Sequence, residues 1–182
     1  MNTLLRSATY LPIAAMILTA ALANPAGAQT SCEGFAPGCF KGTFQGQDVH
    51  DALPPDATTV AIRTTATGIG THLGQFSLIR QITGSLTNFS DIGSAQWIAA
   101  NRDSIYTTII GQAELSDVNG GSLKVTETHI ITGGTGRFTG IQGSFTVELF
   151  HKLEPSAVVG GVETHDIFGS FHGTITPPGA AH

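Results

Sequence analysis

Glu127-x-His129 pairs an acid with an imidazole two residues apart. On a strand, that spacing puts both side chains on one face, about 6.5–7 Å apart along the chain. The surrounding alternation gives them apolar company, because Leu123, Val125 and Ile131 fall on the same face. The same reading groups His72 and Arg80 with Phe76, Leu78 and Ile82. It also groups Glu163 and His165 with Ile167, Phe171 and Ile175. His72, Arg80, Glu127, His129 and His165 are therefore expected to face an interior. A carboxylate there is costly unless paired. Beside Arg80, Glu127 would form a satisfied ion pair. In an apolar cavity its pKa would rise and it could act as general acid or base, with Arg80 holding a carboxylate or an enolate-like charge. Glu127 and Arg80 are the candidate catalytic residues. His72, Phe76, His129, His165 and Phe171 are the candidate ligand contacts, with core packing as the rival reading for the phenylalanines.

Three histidines and a glutamate also make a donor set for a transition metal. The His-x-His pattern of closely paired metal ligands is absent, and the set is assigned no metal. His50, His151, His172 and His182 are expected in loops or on solvent faces. The chain has no Gly-x-Ser-x-Gly elbow, His-Glu-x-x-His, Walker loop or Gly-x-Gly-x-x-Gly, which weakens the common hydrolase, zinc protease and nucleotide-binding readings. No organic cofactor is expected.

The elements that must position these residues read as antiparallel β. Beyond Ala28 the sequence holds 21 Thr and many Val, Ile and Phe, residues that suit a pleated surface. Alternation predicts strands at 40–48, 59–67, 70–83, 95–101, 104–115, 122–132, 143–153 and 162–176. Turn chemistry lies between them: Pro54-Pro55-Asp56, Asn101-Arg102-Asp103, Asn119-Gly120-Gly121, Gly133-Gly134-Thr135-Gly136 and Gly160-Gly161. Eight strands without helical crossovers cannot form a parallel sheet, and they imply a sandwich or a barrel. Gly-x-Phe recurs at Gly42–Phe44, Gly74–Phe76, Gly136–Phe138, Gly143–Phe145 and Gly169–Phe171. Glycine within strands marks the bulges and bends that a closing sheet needs, which favours the barrel. A one-residue bulge would reverse any of the facing assignments.

The N-terminus reads as an address. Arg6 precedes an apolar run from Leu11 to Ala23, followed by Ala26-x-Ala28. This is the pattern of a secretory signal peptide cleaved near Ala28. The run is shorter than the 18–20 residues or so that a bilayer span needs. Residues 1–28 are thus the expected signal peptide and residues 29–182 a single barrel domain, secreted or periplasmic. Cys32 and Cys39 are the only cysteines. An oxidising compartment favours a disulfide between them, within an N-terminal loop spanning residues 29–40.

Charge narrows the partners. The 182-residue chain is 12% charged with a formal net charge of −5. Losing Arg6 with the signal peptide makes the remainder one charge more negative. An acidic balance argues against nucleic acid and anionic membrane surfaces.

The stretch Ile131-Thr132-Gly133-Gly134-Thr135-Gly136-Arg137-Phe138-Thr139-Gly140-Ile141-Gln142-Gly143-Ser144-Phe145 resembles the GGTGxF turn of plant dirigent proteins. The allene oxide cyclase family has a related Gly-Phe turn in the same barrel. Gly70-Thr71-His72-Leu73-Gly74-Gln75-Phe76 looks like a pattern of small exported bacterial proteins of that barrel type. The resemblance implies a closed antiparallel eight-stranded β-barrel with a central cavity, and the dimers or trimers that such barrels often form. It carries no catalytic residue onto this chain. Three functions are then expected, in order: binding of a small, largely apolar ligand in the cavity; a cyclase-like or dirigent-like isomerisation; or a structural role with the barrel filled by its own side chains.

Overall fold

The computed structural model describes residues 38–117 and 121–176. Nine strands follow in order: β1 (Cys39–Asp51), β2 (Thr59–Gly70), β3 (Gly74–Ser85), β4 (Ser90–Ala99), β5 (Ser104–Ser116), β6 (Ser122–Gly134), β7 (Gly143–Lys152), β8 (Ala157–Val159) and β9 (Val162–Ile175). Successive strands pair from β1 to β7, β7 pairs with β9, and β9 pairs back with β1. Every ladder is antiparallel. The sheet is therefore a closed eight-stranded antiparallel β-barrel, as the sequence predicts. The ninth strand, β8, continues along β9 where β7 leaves off: His151 pairs with Ile167, and Ala157 with Thr164. No helix among the described residues is long and apolar enough to cross a membrane. Cys39 is buried at the start of β1. Cys32 and the expected signal peptide lie outside the described residues.

The strands follow the expected alternation, and the ends of the barrel differ in chemistry. At one end, Phe40, Phe44, Phe76, Trp97, Phe145 and Phe171 fill the interior. Their rings pack edge-on or tilted, with centroids 4.7 Å apart for Phe40–Phe171 and 4.9 Å for Trp97–Phe171. Interior glycines make room for them. A Cβ on Gly42 or Gly70 would meet the Phe171 ring, and one on Gly68 the Phe76 ring, all at under 3 Å. Phe171 and Phe76 thus lie over glycines on adjacent strands, Gly42 being the ladder partner of Phe171 and Gly68 that of Phe76. Removing a ring from such a core costs roughly 3–5 kcal/mol.

The Gly133–Phe145 stretch caps this aromatic end. A 3-10 turn at Gly136–Phe138 drops Phe138 fully into the core. Gly136 has φ +54°, and a Cβ there would overlap the Asp103 carboxylate. Arg137 lies over the Phe138 ring and donates to the His72 carbonyl at 2.9 Å. The turn resembling the dirigent motif is thus architectural in this chain.

One register shift occurs, in the β5–β6 ladder at Tyr106/Thr107. It lies on the aromatic side of His129, so it leaves the inward facing of Glu127 and His129 intact.

Candidate functional site

The other end of the barrel is polar inside. Asp48 and His50 from β1, Thr64 from β2, Arg80 from β3, Asp91 from β4, Glu127 and His129 from β6, His151 from β7 and His165 from β9 are all buried. Each continues the inward alternation of its strand. Of the interior residues expected from sequence, Arg80, Glu127, His129 and His165 meet here. His72 does not. It sits in the β2–β3 turn with φ +62°, at the aromatic end. Counting back in twos from Phe76 placed it inside, but the chain reverses before reaching it. Phe76 and Phe171 belong to the aromatic packing and not to this polar end.

Arg80 is the hub. Its Nη1 donates to Glu127 Oε1 at 2.5 Å, its Nη2 to Asp48 Oδ2 at 3.2 Å, and its Nε to Thr64 Oγ1 at 2.9 Å. Thr64 passes a hydrogen bond on to Asp48 Oδ1. His151 Nδ1 donates to Asp48 Oδ2 at 3.0 Å, and His129 Nε2 to Glu127 Oε2 at 3.0 Å. A carboxylate can only accept, so the proton in each case is on the imidazole. His129 Nδ1 is then free to accept from Thr107 Oγ1 at 3.0 Å. Of the two readings open for Glu127, the structure shows the ion pair.

The electrostatics follow from this wiring. Burial by itself would raise the Glu127 carboxyl. The Arg80 guanidinium, followed by the His129 contact, outweighs burial and holds it below the usual range. Asp48 behaves alike: burial opposes ionisation, and Arg80, His151 and Thr64 together reverse it. Burial would also lower Arg80, but Glu127, Asp48 and Asp91 raise it. His129 is pushed down, chiefly by burial, and stays neutral.

Asp91 is the exception. Its carboxyl is pushed up to about 7, first by burial and then by the charge of Glu127, with Arg80 only partly compensating. Its Oδ1 is buried without a hydrogen-bond partner. A carboxyl that exchanges its proton near neutrality is suited to general acid or base work. Sequence reasoning missed it because β4 was expected to begin at Ala95, leaving Asp91 in a loop. The signal was there in Asp91-x-Gly93-x-Ala95-x-Trp97, an inward series obscured by the outward Ile92.

Above this polar floor lies a cavity of about 260 Å³. Its walls are apolar, with Val60, Ile62, Ile82, Leu86, Leu123 and Val125 prominent, and Asp48, Arg80 and Asp91 reach it from below. On one side stand three histidines. His50 and His151, expected in loops or on solvent faces, instead flank His165 in a stack. Ring centroids are 5.0 Å from His50 to His165 and 4.6 Å from His151 to His165. Glu163 completes that wall. His129 lies deeper, between Trp97 and Phe145.

No family model matches the chain, and no curated protein matches it. Among solved structures, the pterocarpan synthase dirigent protein GePTS1 aligns at 10% identity, over 73% of this chain and 86% of that one, with a TM-score of 0.16.

Proposed function

We propose that this chain is an exported β-barrel that binds a small, largely apolar molecule in the cavity at its histidine-lined end. The observation that carries the reading is the cavity itself, apolar walls over a polar floor whose charges are fixed in advance. Ligand pockets are commonly built this way, with a few placed polar groups setting orientation. At about 260 Å³, it falls just short of the roughly 300 Å³ at which ligand pockets usually begin, so its occupant would be a small molecule. The aromatic end is filled by its own side chains, so the binding reading rests on the histidine-lined end alone. Export rests on the signal-peptide pattern before Ala28, and the Cys32–Cys39 bridge on the oxidising compartment that export implies.

A cyclase-like or isomerase reading comes second. One observation favours it: Asp91 can give or take a proton at neutral pH beside the fixed charges of Arg80 and Glu127. Arg80, which reaches the cavity, would stabilise developing negative charge in that scheme, and Glu127 behind it would hold the guanidinium in place, with no organic cofactor.

Native mass spectrometry of the protein recovered from the periplasm or medium of an exporting host tests the proposal. The expected result is a chain beginning after Ala28, two protons lighter than the reduced form, with a small molecule retained or taken up from a panel of lipids and phenolics. A wild-type chain that takes up nothing from the panel overturns the binding reading.

A further inference from the structure

His165 is 4% exposed, and its Nε2 is buried without a hydrogen-bond partner. Its other nitrogen, Nδ1, lies 2.9 Å from the Lys152 carbonyl. A carbonyl only accepts, so the proton is on Nδ1 and the Nε2 lone pair points away from it. His50 repeats the arrangement, with Nδ1 at 2.9 Å from the Asp51 carbonyl. Both Nε2 atoms lie near one carboxylate oxygen, Glu163 Oε2, at 3.5 Å from His165 and 3.9 Å from His50. The three ligand atoms all lie within 4.8 Å of one another.

With both imidazoles in these tautomers, three acceptor atoms converge. Their separations exceed hydrogen-bond lengths. They approach the spacing of donors around a shared ion: metal–nitrogen and metal–oxygen bonds of about 2.0–2.2 Å at a tetrahedral angle put ligand atoms about 3.4 Å apart. The backbone carbonyls that fix both rings are the outer contacts a metal-bound imidazole ordinarily has. The frame is rigid, because His50 pairs directly with Glu163 in the β1–β9 ladder and His165 stands between two stacked rings.

We propose that His50, Glu163 and His165 bind a divalent first-row transition metal, zinc being the natural probe for two imidazoles and a carboxylate. This goes beyond ligand binding in the cavity and does not depend on it. All three residues line the cavity. A bound ion would leave its remaining positions to water or to an oxygen atom of a cavity ligand.

The test is a titration of the full exported protein, carrying no polyhistidine tag, with zinc followed by calorimetry and with cobalt followed by visible absorption. The expected result is saturation at one equivalent, with the intense cobalt spectrum of a tetrahedral site. Outer contacts alone are worth about tenfold to hundredfold in affinity, so His165→Ala and His50→Ala should each weaken binding by at least that much. Glu163 is partly exposed and its replacement leaves the core untouched, so Glu163→Gln tests the site without endangering the fold. His172→Ala should change nothing. No stoichiometric uptake, or uptake that survives Glu163→Gln and His165→Ala but falls with His172→Ala, overturns the proposal.

Discussion

Replacing Arg80 by methionine removes the only lysine or arginine side chain that is buried among the described residues. Asp48 and Glu127 then remain inside without a counter-ion. Breaking a buried pair costs roughly 3–5 kcal/mol, because the orphaned charge cannot recover its hydration. Two carboxylates lose their partner here, but His151 and Thr64 still serve Asp48, and His129 still serves Glu127. The expected loss is therefore about 4 kcal/mol at pH 7.5, within the range for one pair. In a domain of this size, that lowers Tm by about 8–16 °C. The pH dependence has a definite sign. In the parent protein, Asp48 and Glu127 are held below their ordinary values. Their contribution is present above about pH 4 and is lost as pH falls further. In Arg80→Met, burial is no longer outweighed, both carboxyls rise, and protonation relieves the strain. The gap between parent and variant should be widest at neutral pH and narrow toward pH 4.5. Urea unfolding followed by circular dichroism and by the single tryptophan, Trp97, at both pH values measures it. A deficit below about 1 kcal/mol, or one independent of pH, would refute the account of Arg80 as the counter-ion of a dry interior.

Two further expectations concern the cavity floor. Asp91 has a folded pKa raised to about 7, so the stability tied to its neutral form is complete below about pH 4 and is lost as pH rises through 7. Asp91→Asn should match the parent at pH 4 and exceed it at pH 8, by roughly 2 kcal/mol once water at the cavity mouth is allowed for; an NMR midpoint near 4 for this carboxyl would contradict the reasoning. Gly111 faces inward between two acids, and a Cβ there would stand 2.1 Å from Asp91 Oδ1 and 2.8 Å from Glu127 Cγ. Gly111→Ala should cost about 1–3 kcal/mol by overpacking, and a Tm unchanged by the substitution would show that the floor is looser than described.

The eight barrel strands were legible because turn chemistry and β-branched alternation agree along the chain. Arg80, Glu127, His129 and His165 were legible because apolar neighbours on the same face betray an interior. The histidine end was harder. Asp48, His50, Asp91 and His151 extend the inward rows of their strands, but they are polar, and polar residues near a strand's end look like loop. Ile92 and Ile110 compound the problem, because they pair directly across β4 and β5 on the outside of the barrel. There the familiar rule of apolar inside and polar outside is inverted. His72 shows the opposite error, a residue counted into a strand past the point where the chain turns. The short β8 carried no signal, since three exposed residues are too few to show a period.

The β1–β9 ladder joins the first described strand to the last over thirteen residue pairs, from Cys39↔Thr174 to Asp51↔Val162. It forms only when the whole chain is present, and contacts so distant in sequence are the slow ones to make. Asp48 and His50 stand on one side of this seam, Glu163 and His165 on the other. A nascent or truncated chain therefore holds half of the histidine end. On the binding function proposed above, an occupant would select molecules that have already closed, and by mass action it would hold them shut. Recognition and completion of folding would then be one event at this seam, with the occupant acting as the latch.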